Sequence, residues 1–368
     1  MSPLRSPLHE RHLASKAKLA NFAGWELPVN YESGTLAEHK ACRQDAAAFD
    51  VSHLGTLRVF GEGAFETLQW CLSNDLNRIS VGQAQYTHLL DPSEAWVIDD
   101  IIVWWVGPND FRVLPNASNT ATAAEIFQNC SAEATQAGIS DTAGWQVSVE
   151  NVTSSRALIA LQGPNSRQRL SGLSAAAAQV GRFAVASFEF LGTECFAAGT
   201  GYTGEDGVEC EVPAGVAGDF WERVQALGFE PAGLGARDLL RLEAGFPLHG
   251  HDLGPDITPL NARMNWVVGW NKDFFRGKEP LAGQKSAGVD RHLLGLLGQG
   301  RRPLRDGQEV VFEGERVGQI TSGGYSPSLE RGIALAMLRV TVPLGAEVEI
   351  AGKRLSAEVV KPPFVSLA

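Results

Sequence analysis

The sequence predicts an α+β chain that closes with a small all-β barrel or sandwich. Three observations point there. Segments with helical spacing alternate with short apolar runs up to about residue 280. Neighbouring runs read as antiparallel pairs, and no βαβ unit surrounds the one glycine-rich turn that opens a helix. Beyond residue 290 only short strands and turns follow.

The elements follow in order. Ser6-Pro7 reads as an N-cap and first helical residue, with a short helix to about Leu19. Asn21 to Tyr31 reads as an aromatic-rich surface turn whose Phe22 and Trp25 plug into the core. Thr35–Ala48 has helical spacing, and Phe49 to Gly55 leads into a strand at Thr56–Phe60. A helix is predicted for 63–71, a strand for 83–90, a strand for 111–114 and a helix for about 120–130. The polar stretch 141–154 reads as a crossover between domains. A buried strand at 157–161, paired strands over 188–195 and 196–200, and a helix over 215–227 come next. Pro231 to Asp238 opens a further helix, and 280–290 reads as a polar linker to the last domain. Strands are then predicted at 293–297, 309–313, 317–321, 334–338 and 347–350.

A chain of 368 residues can hold two or three domains. Its 44% hydrophobic content fits a soluble globular protein. The net charge of −11 argues against a nucleic-acid partner, and no apolar run is long enough to span a membrane. The N-terminus lacks a secretory h-region. Five scattered cysteines without a CxxC pair suggest free thiols in a reducing compartment, and none reads as a nucleophile.

The most informative stretch is Trp96-Val-Ile-Asp-Asp-Ile-Ile-Val-Trp-Trp-Val106. Its composition is that of a buried strand, yet two carboxylates stand in the middle. Alternation puts Asp100 on one face with Ile98, Ile102 and Trp104, and Asp99 on the other. At most one of them enters a given pocket unless a bulge intervenes. The pair is either a satisfied structural network or the charge of a binding pocket.

Other motifs point to less. Asp50, Ser52 and His53 are too close on an extended segment to form a hydrolase triad, and no GxSxG elbow exists. Gly233-Leu-Gly235 lacks the third glycine of a dinucleotide fingerprint, although glycines ahead of a helix let amides approach an anion. His249, His251 and Asp252 fall short of a tetrahedral metal set.

Eight segments share one identity. They are Phe22-Ala-Gly-Trp-Glu, Phe49-Asp-Val-Ser-His, Ile98-Asp-Asp-Ile-Ile-Val, Leu161-Gln-Gly-Pro, Gly201-Tyr-Thr-Gly-Glu-Asp-Gly, Gly233-Leu-Gly-Ala-Arg-Asp, Arg241-Leu-Glu-Ala-Gly and Ile320-Thr-Ser-Gly. Together they resemble the aminomethyltransferase family, the T-protein of the glycine cleavage system, from about Ser6 to Val365. The resemblance implies a three-lobed cloverleaf of two α+β lobes with antiparallel sheets and a C-terminal β-barrel, with tetrahydrofolate in the central hole. The lobes would be 1–50 with 141–280, then 51–140, then 281–368. It also implies a lipoylated H-protein partner, no metal, no nucleic acid, no membrane, and a bacterial cytoplasmic setting, since the likeness leaves no room for a transit peptide.

The implied reaction moves the methylene of an S-aminomethyl-dihydrolipoyl H-protein to tetrahydrofolate and frees ammonia. The resemblance gives Asp100 the catalytic role, facing the folate amine as positive charge builds. It gives Glu209 the pterin N–H groups, Arg237 a ligand contact, and Asn116 a polar contact. Tyr86, Tyr202 and Trp266 match the aromatics that wall the folate. From the residues alone, Glu209 is also readable as a turn-end surface acid, Arg237 as a salt bridge to Glu243 or Asp238, and the aromatics as core. Three departures stand out: Ala95-Trp96 where the family has Gly-Gly, His249 where it commonly has Tyr, and Pro115 where it has an aliphatic residue. The rival readings are a tetrahydrofolate-dependent demethylase and a non-enzymatic folate-binding iron–sulfur assembly factor.

Overall fold

A computed structural model describes residues 2–136, 138, 142, 145–352 and 355–367. Its two α+β lobes and closed six-stranded C-terminal barrel form the expected architecture, with sheets that are mainly antiparallel.

The first lobe is built on a six-stranded sheet whose middle strand, Arg156–Gln162, is buried along its whole length. Both its faces are covered, which explains the unbroken apolar run. Ile159 and Leu161 pack with Phe220, Trp221 and Val224 of the helix Ala214–Ala226. Leu158 and Ala160 pack on the opposite side with Phe49, Ala236 and Leu240. One edge is parallel: Glu230–Ala232 runs beside Ala47–Asp50. The paired strands break at Leu191 and Gly192, so they span Val185–Phe190 and Thr193–Ala198.

The second lobe is a five-stranded sheet carrying the acidic strand, Val97–Gly107, between Ala84–Leu90 and Asp110–Leu114. Alternation decides what each residue meets. Ile101 and Val103 face the lobe's own core with Leu57, Leu68 and Phe127. Trp104, on the Asp100 face, packs against Phe49 and Leu158 of the first lobe. The strand therefore joins the two lobes.

Several expectations need correction. The helix at the N-terminus is only His9–Ala14, and Lys18–Phe22 pairs with Trp25–Asn30 as a hairpin. Ala23 and Gly24, at φ 48° and 85°, make its tight turn. Trp25 is buried as expected, whereas Phe22 is 39% exposed. The helix from Thr35 stops at Gln44, because Ala47–Asp50 joins the sheet. Residue 141 lies outside the described residues, but the supposed crossover supplies the strand Ser148–Asn151, which pairs with Leu57–Phe60. The second lobe's sheet thus extends past 140. The polar linker is the helix Lys278–Ala287, and the barrel has a sixth strand, Leu355–Val360. Both were hidden by polar or interrupted patterns, which tertiary packing overrides.

The barrel is fastened to the first lobe by two buried ion clusters on the helix Leu234–Glu243. Arg241 donates to Asp238 at 2.8 Å, to Asp252 at 3.0 Å and to Ser322 at 3.1 Å. Glu243 accepts from His39 at 2.9 Å, from Arg43 at 2.9 Å and from Ser328 at 3.0 Å.

Candidate active site

A cavity of about 1040 Å³ opens where the two lobes and the barrel meet, and all seven predicted site residues line it. Asp100 reaches it because it shares a strand face with Trp104, which seats that face on the first lobe. Asp99 points into the second lobe and is fully buried.

The two carboxylates are held by asparagines. Asn116 follows the strand Asp110–Leu114, and its Nδ2 donates to Asp99 Oδ1 and to Asp100 Oδ1, each at 2.8 Å. Its backbone N–H donates to Asp99 Oδ2 at 3.0 Å. Asn119 Nδ2 donates to Asp99 Oδ1 at 2.8 Å and to the Ile98 carbonyl at 3.1 Å. Tyr86 completes the Asp100 shell, donating its hydroxyl to Oδ2 at 2.9 Å. Behind it, His88 Nε2 lies 3.3 Å from the Tyr86 oxygen. Burial drives the His88 imidazole down to about 3, so it stays neutral and acts as donor to that oxygen.

These contacts set the electrostatics. Burial pushes the Asp100 carboxyl up, against the pull of His249, Tyr86 and Asn116. Burial and the neighbouring Asp100 push Asp99 further up, against the amide donors. Two acids this close cannot both ionise freely, and Asp100 is the one open to the cavity. A fixed carboxylate there stabilises a cation and takes up a proton readily.

On the first-lobe wall, Glu209 is 6% exposed and accepts from the Thr200 hydroxyl at 2.6 Å. That burial removes the surface-acid reading. Arg237 is not salt-bridged to Glu243 or Asp238, which are taken by Arg43 and Arg241. Its guanidinium lies 5.0 Å from the Tyr202 ring centroid, and its buried Nη1 has no partner. A cation left with an unused donor at a cavity wall is suited to an acidic or carbonyl ligand atom. Tyr202 donates its hydroxyl to the Pro247 carbonyl, fixing the ring. Trp266 stacks on Tyr86 at 5.6 Å and is 58% exposed, so it is an aromatic wall and not core.

The discounted motifs resolve in the same way. Asp50 accepts from His12 at 2.7 Å and Ser6 at 2.5 Å, while Ser52 Oγ accepts from the Leu158 N–H at 3.0 Å. Ser52 and Asp50 are thus parts of the fold, and His53 lies alone on the cavity wall. The anion at the Gly233 turn is the protein's own Glu38, whose Oε2 accepts the Gly233 N–H at 3.0 Å. Asp252 is spent on Arg241, Ser322 and the Leu248 N–H, and His251 pairs with Asp306 at 3.3 Å. Among the described residues no group of three or more His, Cys, Asp or Glu could hold a metal ion. The five cysteines are free and buried, and burial raises the Cys42 thiol to about 12.

Reading the sequence missed His88, Asn119 and His53. His88 had a signal: it is two residues from Tyr86 on an alternating strand and stands opposite Asp100 in the ladder. Asn119 had none, because its place depends on loop closure, and His53 stood in the discounted Asp50-Ser52-His53 motif and in the Phe49-Asp-Val-Ser-His segment.

This fold is that of the glycine cleavage T-proteins. Residues 8–272 match the GCVT N-terminal domain, and 291–366 match the glycine cleavage T-protein C-terminal barrel domain. The chain belongs to that family. Relatives named aminomethyltransferase include that of Mycolicibacterium paratuberculosis, 42% identical over 99% of this chain and 97% of its own. That of Chromobacterium violaceum is 40% identical over 99% and 97%. The crystal structure of the glycine cleavage system aminomethyltransferase T from Bartonella henselae superposes with a TM-score of 0.90 at 34% identity, covering 100% of this chain and 99% of that one. Among the described residues no helix is long and apolar enough to cross a membrane.

Proposed function

We propose that this aminomethyltransferase-family chain moves the methylene group of an S-aminomethyl-dihydrolipoyl H-protein onto tetrahydrofolate and releases ammonia. The observation that carries the reading is a half-buried carboxylate, Asp100, held by Asn116 and Tyr86 and facing a cavity large enough for a folate. In this reading a folate amine attacks the aminomethyl carbon beside Asp100. The carboxylate offsets the positive charge that develops on nitrogen and accepts a proton from it.

The other wall residues then divide the ligand. Glu209 accepts the N–H groups of the pterin edge, and Thr200 fixes which oxygen it offers. Arg237 turns its unused Nη1 to an oxygen of the ligand. Tyr86, Tyr202 and Trp266 enclose the flat rings, and Asn116 holds Asp100 in place. The reading includes a lipoylated H-protein as partner, a cytoplasmic setting, and no metal, nucleic acid or membrane.

The test is a coupled assay with aminomethylated H-protein and tetrahydrofolate. Methylene-tetrahydrofolate and ammonia in equal amounts support the reading. Folate binding without turnover of this substrate overturns it in favour of a demethylase or a non-catalytic folate protein.

A further inference from the structure

We propose that His249 is a second proton-transfer residue of this site, delivering a proton to the sulfur of the departing lipoyl arm. The inference rests on the reaction proposed above. His249 lies on the loop after the helix Leu234–Glu243 and lines the cavity together with Asp100.

Its surroundings leave the imidazole free for a ligand. The ring nitrogens Nδ1 and Nε2 lie 3.3 and 3.5 Å from Asn119 Nδ2. That amide has already committed its two hydrogens, to Asp99 and to the Ile98 carbonyl. The imidazole therefore rests against Asn119 as packing, and neither nitrogen has another hydrogen-bond partner among the described residues.

The other histidines, the tyrosines and the arginines on the wall are unsuited. Burial pushes the Tyr86 and Tyr202 hydroxyls up, so they hold their protons. Burial drives His53 down to about 3, so it carries no extra proton to give. Guanidinium groups do not release theirs. His251 is half exposed and tied to Asp306. Imidazole is the side chain that exchanges protons near neutral pH.

The groups facing His249 have opposing signs. Asp100 presents a carboxyl group to the same cavity. Arg241, also on the wall, is paired with Asp238 and Asp252. His88 on the neighbouring strand stays uncharged, as does Tyr86.

A folate N–H nitrogen bonds to the methylene carbon, and the C–S bond breaks with its electron pair passing to sulfur. The imidazolium proton moves to that sulfur, giving the thiol and neutral imidazole. Asp100 takes the proton lost from the folate amine and passes it to the imidazole. The second folate nitrogen then bonds to the same carbon, the bond from that carbon to the amino group breaks with its electron pair passing to the amino nitrogen, and the second folate N–H proton moves to it, so that ammonia leaves. A thiolate binds a proton more tightly than imidazole, so the transfer runs downhill.

The experiment compares wild type with His249→Ala in the H-protein assay from pH 6 to 9. The expected result is a fall in kcat of about 10²-fold, with unchanged KM for both substrates. The alkaline limb of the wild-type profile disappears, and added imidazole restores turnover. Calorimetry shows tetrahydrofolate binding retained. An unchanged kcat and profile, a loss in KM or folate binding alone, or a defect that imidazole does not repair overturns the inference while the reaction itself stands. A wild-type chain that makes no methylene-tetrahydrofolate overturns both.

Discussion

Replacing Asp100 by asparagine removes one negative charge and almost no volume. The structure says what the new amide meets. Its oxygen accepts from Asn116 Nδ2 as Oδ1 does now, and its NH2 group donates to the Tyr86 oxygen in place of accepting from it. The Tyr86 hydroxyl then donates to His88 Nε2 once that neutral ring takes its other tautomer, so folding is retained. The like-charge neighbour of Asp99 also disappears, which removes one of the two effects that raise the Asp99 pKa. The thermal midpoint therefore stays level or rises. The cost falls on chemistry. A carboxylate about 4 Å from a unit positive charge contributes roughly 4 kcal/mol at an effective dielectric near 20. At about 1.4 kcal/mol per tenfold in rate, full charge development sets a loss near 10³, and partial development near 10². The assay is kcat for methylene-tetrahydrofolate formation with both substrates saturating. A variant within about tenfold of wild type, correctly folded, would refute the electrostatic argument, because that loss is below the worth of one such group.

Arg237→Met leaves Glu209 buried without its counter-charge and removes the free Nη1 donor, so tetrahydrofolate affinity falls about 10- to 100-fold by calorimetry, the range of one charge-assisted hydrogen bond. Glu243→Gln reports on the clamp between barrel and first lobe. Against burial, His39, Ser326 and Arg43 hold the Glu243 carboxyl at about 2, below its ordinary 4.5. A depressed carboxyl stabilises the fold above the ordinary value and loses that contribution as pH falls towards 2. Denaturant melts of wild type and variant then differ by about 3 kcal/mol at pH 7, and the difference shrinks below pH 4.5. Ser52→Ala removes the acceptor of the Leu158 N–H and the hydroxyl that reaches the Leu158 carbonyl at 3.5 Å, both away from the cavity, so turnover is unchanged while stability falls by about 1 kcal/mol in the same melts.

What the sequence made legible was whatever depends on local period. The acidic strand, its alternation and the short strands of the barrel follow from period two, and the structure realises each of them. The helix Ala214–Ala226 was legible because Phe220, Trp221 and Val224 share a face. Period fails where the decisive contact is distant. Lys18–Phe22 reads as polar because the strand is exposed, and it is held in place by pairing with Trp25–Asn30. Ala47 and Ala48 continue a helical pattern by propensity, but their place beside Ile159–Gln162 puts them in a sheet. Ser148–Asn151 is a polar edge strand, and nothing local announces its partner Leu57–Phe60.

The site divides along the same line. Two adjacent acids in an apolar strand show that one is paired inside and the other faces something polar, but not what satisfies the buried one. Asp99 is satisfied by Asn116 and Asn119, which lie on the turn Ala117–Asn119 and just before it. That turn also brings Asn119 against His249 from the far side of the cavity. One short turn therefore anchors the buried acid, aims the open one through Asn116, and positions the imidazole facing it. The strand supplies the charge and the turn supplies its direction. In the proposed reading, the difference between the structural carboxylate and the reactive one is a matter of which acid the asparagines enclose completely. Asp99 has donors on both oxygens and no access to the cavity, whereas Asp100 keeps one flank open to it.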